Sequence, residues 1–503
     1  MSLVFSKFNV WAADGTDHFL HNGVSGQTFH LDQAVRRRLE AIVHGSEITS
    51  DDAAVLTPLV AGRALINHDV DELAILRTRY QAASVQPRHF GLTVVTSLGC
   101  NFDCPYCYED KKPSILSGTV QHGILRLIDE RIEHLDDLAV TWFGGEPLLG
   151  LRPLVALSDA ILERCERYGV DYEANIVTNG WLLTPENARL LREKKVLSAQ
   201  ITIDGPPDVH DRSRPYVGGG STFERVVANV RTASEILDVA VRVNIDRSNV
   251  TRLEELFEIL VERDLVGRIS IYPAQITASD HAPAPGFGYR GAFTREEFAA
   301  VQIEFEELAM RFGFGASITP LPKPTPSPCT AVRENEVLIG SNGELWKCWE
   351  EVGDTASAFG SVLTESGSWG RPSKWLDYDP FTDPDCSTCI ALPGCMGGCA
   401  VHALSVQNRE NRCGDFRFNH QRSVAMRLAD YLGKPRPETT LNMTVRPPVT
   451  IVDGLGGAGS GCASGCGSGG CGSSSVSVGV GSGSASGPTP VTIGARRRQL
   501  GRG

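Results

Sequence analysis

The stretch Cys100-Asn101-Phe102-Asp103-Cys104-Pro105-Tyr106-Cys107 decides how this chain of 503 residues is read. Its thiols follow a C-x₃-C-x₂-C spacing, on a loop directly after the strand-like run 91–97. Three cysteines hold three corners of a 4Fe–4S cube and leave one iron without a protein ligand, open to a small molecule. A zinc site or loose thiols are the competing readings, but structural zinc ordinarily takes four protein ligands.

With the aromatic Tyr106 just before the last thiol, the spacing resembles the radical S-adenosylmethionine (SAM) enzymes. That resemblance implies that Cys100, Cys104 and Cys107 hold the cluster. It also implies that SAM chelates the open iron and is cleaved to a 5′-deoxyadenosyl radical.

From 91 to about 312 apolar strands alternate with helical periods. The strands read 92–96, 139–143, 174–178, 200–204, 241–246 and 269–274, with helices such as 151–168, 184–194, 223–237 and 253–265 between them. Thr184-Pro185 is a helix start with proline at the first helical position. Thr294 with Glu297 forms a capping box, and Phe293 with Phe298 the matching staple. Six βα repeats give an α/β fold, an incomplete (β/α)6 barrel, whose chemistry belongs at the C-terminal strand ends.

The polar motifs fall at those ends. Gly144-Gly145-Glu146-Pro147 follows the second strand, Thr178-Asn179-Gly180 the third, and Asp204-Gly205-Pro206 with His210-Asp211 and Arg214 the fourth. Singly each reads as an ordinary turn. Together, in context, they strengthen the radical SAM resemblance. It implies that Gly144, Gly145, Glu146 and Pro147 bind the SAM amino group, with Tyr106, Asn179, Asp204 and the segment 242–244 nearby. The Asp-Gly-Pro…His-Asp…Arg string resembles the subgroup acting on peptides and proteins.

After a linker carrying Pro320, Pro322, Pro324, Pro326 and Pro328 comes a second array: Cys329, Gly343-x₄-Cys348, Cys386-x₂-Cys389-x₅-Cys395-x₃-Cys399 and Cys413. This resembles the SPASM extension of radical SAM enzymes. The resemblance implies two auxiliary 4Fe–4S clusters, one on Cys329, Cys348 and Cys399 and one on Cys386, Cys389, Cys395 and Cys413. Some relatives carry a further cysteine where this chain has Lys323, so the first auxiliary cluster is expected to keep an open iron able to take a substrate thiolate. Sulfatase maturases place a catalytic aspartate immediately after the cysteine equivalent to Cys348; here Trp349 follows, then Glu350 and Glu351.

The expected domains are 1–88, a small α+β unit similar to winged-helix peptide-recognition elements; 89–314, the radical SAM core; 315–434, the SPASM domain; and 435–503, a Pro-rich and then Gly/Ser-rich tail expected to be disordered. Cys462, Cys466 and Cys471 lie in that tail and resemble the cysteine-rich peptides that such maturases crosslink.

Composition sets the remaining bounds. Fourteen cysteines, clustered apart from Cys165, read as metal ligands rather than disulfides. A net charge of −12 argues against a general nucleic-acid binder. The absence of a long apolar run argues against a membrane span, and with the lack of a signal peptide predicts a cytoplasmic protein.

The reading is a radical SAM peptide maturase that forms thioethers in a ribosomally made precursor peptide, an elsewhere-encoded one or its own cysteine tail. Flavodoxin or ferredoxin is the expected electron donor. Alternatives are sulfatase-maturase-like oxidation of a protein Cys or Ser, against which Trp349 counts, and carbon–carbon crosslinking or decarboxylation. A non-enzymatic iron–sulfur carrier would have no use for the SAM motifs. No side chain stands out as a general base.

Overall fold

The computed structural model describes residues 2–109, 111–277, 291–315, 321–406 and 409–433, and a short strand at 491–493. The rest of the tail, including Cys462, Cys466 and Cys471 and the disorder expected there, lies outside the described residues.

The N-terminal unit holds β1 (Leu3–Phe5), β2 (Asn9–Asp14), β3 (Asp17–Asn22) and β4 (Thr28–Asp32). Helices Gln33–Val43 and Ala53–Ala61 follow, then β5 (Leu65–Asn67) and helix Glu72–Val85. The Asn22-Gly23 turn is organised by Asn22, whose side-chain oxygen accepts from the Val24 and Ser25 amides at 3.1 and 3.0 Å.

Six parallel strands follow: β6 (His89–Ser97), β7 (Asp137–Gly144), β8 (Asp171–Thr178), β9 (Val196–Thr202), β10 (Asp238–Ile245) and β11 (Ile269–Gln275). Each pairs only with its sequence neighbours in this series, as helical crossovers require. All six overlap the strands read from the sequence. The fourth ends earlier, at Thr202, so Asp204 stands on the loop. Helices Leu151–Tyr168, Pro185–Glu193, Phe223–Ala233 and Leu253–Glu262 cover the outer face. Thr184 caps its helix by accepting from the Asn187 amide, and the Thr294–Glu297 capping box is present. Trp142, Ile176, Ile201 and Val241 are fully buried beneath these helices, and Cys165 is a thiol of the same core.

Two features were not legible in the sequence. The first is a strand, β12 (Glu336–Ile339), that comes after the proline linker yet pairs in parallel with β6. β13 (Glu344–Trp346) and β14 (Gly360–Ser361) extend the sheet antiparallel, so it runs on into the cysteine-rich region. Gly91 makes the β6–β12 contact possible, because a Cβ there would occupy the position of the Glu336 carboxylate. The second feature is helix Phe416–Tyr431, which packs on the N-terminal sheet: Val424 and Leu428 share a buried cluster with Val10, Ala12 and Phe19. The N-terminal sheet and the last described helix therefore close on each other. No helix among the described residues is long and apolar enough to cross a membrane.

Glu306, on helix Arg295–Arg311, is buried, and that burial pushes its carboxyl up to about 8. The folded state thus keeps a proton that the unfolded chain releases near the ordinary carboxylate range. Stability contributed at this site falls as pH rises between the unfolded value and about 8. Glu306→Gln should flatten that decline in urea-unfolding midpoints measured from pH 5 to pH 8, while leaving the acid side unchanged.

Candidate active site and cysteine centres

The Cys100–Cys107 loop leaves β6 at the mouth of the sheet and is tied to three other strand ends. Asn179, just past β8, donates from Nδ2 to Asn101 Oδ1 at 2.7 Å and lies 3.8 Å from Cys100 Sγ. On the far side, Asp103 N donates to Pro215 O at 2.9 Å and Val217 N to Asn101 O at 2.9 Å. Phe102 is fully buried, edge-on to Trp181 and Tyr216. Cys104 is close enough to Cys100 and Cys107 for its charge to raise both of their pKa values. Burial is the larger cause, and pushes Cys100 up to about 11 and Cys107 up to about 12. As bare thiols they would stay protonated; a bound cation reverses that preference. Asn101 Nδ2 is buried beside them and has no hydrogen-bond partner. Three neighbouring thiols and an unsatisfied donor fit a three-cysteine iron–sulfur site.

Tyr106 anchors the loop from below. Its hydroxyl donates to Asp204 Oδ2 at 2.6 Å and accepts from Arg214 Nη1 at 2.6 Å and Asn244 Nδ2 at 3.2 Å. Asp204 also accepts from Ser213 Oγ at 3.0 Å and the Asn244 amide at 3.3 Å, while its carbonyl accepts from Asn249 Nδ2 at 2.8 Å. Burial is the main influence on the Asp204 carboxyl and raises its pKa, against the pull of the Arg214 guanidinium. Asp204 is thus engaged with Tyr106 and the strand ends rather than turned to the mouth.

The Gly-Gly-Glu turn shows the same inward engagement. Glu146 accepts from Thr178 Oγ1 at 2.8 Å, the Asn179 amide at 2.8 Å and the Leu148 amide at 3.0 Å. Gly145 N donates to Ser97 O at 3.0 Å and Glu146 N to Gly99 O at 2.9 Å. Gly144 has φ +132°, and a Cβ on Gly145 would lie 2.6 Å from Leu98 O. These glycines are needed because the turn lies against the backbone that leads into the cysteine loop, beyond any ligand it accommodates. The Pro147 carbonyl accepts from Thr96 Oγ1 at 2.8 Å.

Below the mouth, the concave side of the sheet lines a cavity of about 510 Å³. Thr141, Glu173, Asn175, Gln200 and Tyr272 line it, and Trp349 reaches in from the cysteine-rich region, its ring 4.5 Å from that of Phe143. Tyr272 Oη donates to Gln200 Oε1 at 2.6 Å across it. The sequence reading missed these lining residues. Their signal was the strand alternation: in β8, Tyr172, Ala174 and Ile176 face the helices, while Glu173 and Asn175 face the lumen.

The later cysteines separate into two groups. Cys386, Cys389, Cys395 and Cys413 line one small pocket with Gly397, Gly414 and Arg417, whose Nη1 is 3.4 Å from Cys413 Sγ. Cys329, Cys348 and Cys399 pack on one buried cluster and act on one another's charge. Each is a convergence of buried sulfur donors, a chemistry suited to iron–sulfur centres.

Residues 94–270 match the family model of the Radical SAM superfamily. The matched residues take in the thiol loop and most of the parallel strands, and in them the chain is similar to radical SAM proteins. The proteins that this chain is similar to over part of their length include maturases. A serine-type anaerobic sulfatase-maturating enzyme of Bacteroides thetaiotaomicron is 32% identical over 139 residues, 26% of this chain and 33% of that protein. The sporulation killing factor maturation protein SkfB of Bacillus subtilis is 26% identical over 220 residues, 43% of this chain and 47% of that protein. The matches thus span about a third to under a half of these relatives' own length. A solved structure of native anSMEcpe with bound AdoMet and Kp18Cys peptide shares the fold at TM-score 0.53 and 17% identity, covering 68% of this chain and 99% of that one. Proteins of the radical SAM family bind SAM and a 4Fe–4S cluster.

Tyr106→Phe removes the donor to Asp204 and the acceptor of Arg214, leaving buried groups underpaired. Urea unfolding should show a loss of about 1–3 kcal/mol, and hydrogen exchange should quicken in residues 100–107.

Proposed function

We propose that this protein is a radical SAM maturase of a ribosomally made peptide, and that its bond-forming product is a thioether. The observation that carries this reading is the convergence of the Cys100–Cys107 loop, the Gly-Gly-Glu turn and the ends of β8, β9 and β10 over one cavity. Cys100, Cys104 and Cys107 would hold the 4Fe–4S cluster, which supplies the electron that cleaves SAM to the 5′-deoxyadenosyl radical. Around SAM, the turn 144–147 would offer backbone to an ammonium group, while Glu146 fixes that turn to the end of β8 and Asn179 fixes the loop beside Cys100. A carbon of the peptide would give up a hydrogen inside the cavity, whose walls limit the approach of water to the radical. The auxiliary groups, Cys329/Cys348/Cys399 and Cys386/Cys389/Cys395/Cys413, would each hold a further cluster.

Trp349 disfavours sulfatase-type oxidation. It fills the position where the resemblance to sulfatase maturases expects an aspartate, and it presents an indole to the cavity where that chemistry needs a base.

One observation favours the chain's own tail as the substrate. The strand β15 (Val491–Ile493) lies parallel to β4, with Thr492 opposite His30, and so covers an otherwise open sheet edge. Strand addition of this kind is a general way to hold a peptide. It would tether Cys462, Cys466 and Cys471 between the helix Phe416–Tyr431 and β15, which makes their encounter with the site intramolecular.

Mass spectrometry of the anaerobically reconstituted, reduced protein tests this. With SAM, the peptide carrying Cys462, Cys466 and Cys471 should lose two hydrogens and one alkylable thiol, with deoxyadenosine formed alongside. Deoxyadenosine without any change in the tail would assign the substrate to a separate peptide. No deoxyadenosine from wild-type protein would overturn the enzymatic reading, and Cys100→Ala supplies the blank.

A further inference from the structure

Two arginines act on the pocket lined by Cys386, Cys389, Cys395 and Cys413, and they are not equally compensated. Arg412 is buried and donates from Nη1 to Asp383 Oδ2 at 2.7 Å and from Nη2 to Asp385 Oδ2 at 2.8 Å. Arg409 Nη2 donates to the same Asp383 oxygen at 2.6 Å. Arg409 and Arg412 together thus face Asp383 and Asp385, and their charges cancel. Arg417 differs. Its Nη1 donates to Cys413 Sγ at 3.4 Å, and among the described residues no carboxylate lies within ion-pair distance of it.

Arg417 also stands where a helix does not favour a cation. It lies in the first turn of helix Phe416–Tyr431, and the positive end of the helix dipole opposes it there. What offsets that is the sulfur of Cys413 just before the helix, toward which the guanidinium is turned. From the same segment the Gly414 amide serves Cys395, and a Cβ on Gly414 would stand 3.7 Å from that sulfur. Burial pushes the Cys389 thiol up, while the Ala391 amide and the charges of Arg417 and Arg412 pull it back toward the thiolate. Arg417 therefore reaches this pocket twice, through a hydrogen bond to Cys413 and through its charge on Cys389.

We propose that Arg417, by donating to Cys413 Sγ and by its uncompensated charge, raises the reduction potential of the iron–sulfur centre on Cys386, Cys389, Cys395 and Cys413. This rests on the reading that those four thiols hold a cluster. Uptake of one electron adds one negative charge to a thiolate-held centre. A nearby cation and an N–H donor to sulfur both stabilise that reduced form. The charge of Arg417 acts undiminished, because Asp383 and Asp385 are already engaged by Arg409 and Arg412. Arg417 acts through Cys413 rather than on substrate. It readies this centre to accept the one electron released when a carbon radical and a thiolate join in a C–S bond.

The test is a potentiometric titration of the full chain, reconstituted anaerobically and followed by electron paramagnetic resonance. The signal of this centre is the one lost, together with one cluster's iron, when Cys386, Cys389, Cys395 and Cys413 are all replaced by alanine. Its midpoint should fall in Arg417→Lys, which keeps the charge but not the fixed donor geometry. It should fall further in Arg417→Gln, which loses the charge. The remaining signals should keep their midpoints in both variants. Iron content separates a shift in potential from damage to the site, and where the glutamine variant loses iron the lysine variant is read alone. A midpoint unmoved in an iron-replete variant overturns the role of Arg417 and leaves the cluster standing. If the four-alanine variant loses no iron, the cluster itself is overturned, and the proposal with it.

Discussion

Two buried carboxylates bind the strand ends to the cysteine loop, and the site depends on them. Glu146 accepts from the end of β8 through Thr178 and the Asn179 amide, and Asn179 in turn holds Asn101. Asp204 takes the Tyr106 hydroxyl and the β10 amide of Asn244. Neither carboxylate is well solvated, so each stays in place only while its donors are complete. Loss of one donor would release a loop whose three thiols have no regular secondary structure of their own to position them.

The same arrangement explains why the catalytic-looking motifs have a double character. Gly144 and Gly145 are required by the close backbone of Ser97 and Leu98, and Asp204 and Glu146 are occupied by neighbours. Residues that resemble ligand contacts in sequence act here first as the mortar of the mouth. A ligand bound above them would meet surfaces that are already rigid, which is the condition for precise placement of reacting groups.

The cysteine-rich region is attached to the parallel sheet by more than the linker between them. β12 pairs with β6, the very strand that feeds the thiol loop, and the Trp349 ring lies tilted against that of Phe143. The N-terminal sheet is in turn joined to helix Phe416–Tyr431. Three regions distinct in composition therefore share contiguous cores, and a displacement in one is transmitted through packed side chains to the others.

Local pattern by itself determined much of this protein. The alternation of apolar strands and helical periods from 91 to 312, the caps at Thr184 and Thr294, and the C-x₃-C-x₂-C loop are short-range features, set by periodicity, capping chemistry and ligand spacing. They were enough to identify the six parallel strands and the thiol loop. What lay beyond reach were contacts between residues far apart in the chain: β12 beside β6, Tyr106 on Asp204, Glu336 in the space left by Gly91, and His402 beside Glu350 and Cys399. No local propensity encodes such pairings. They come from the packing of whole elements, which alone decides which polar side chains are buried together and which atoms of a histidine or a carboxylate remain to meet a metal or a substrate.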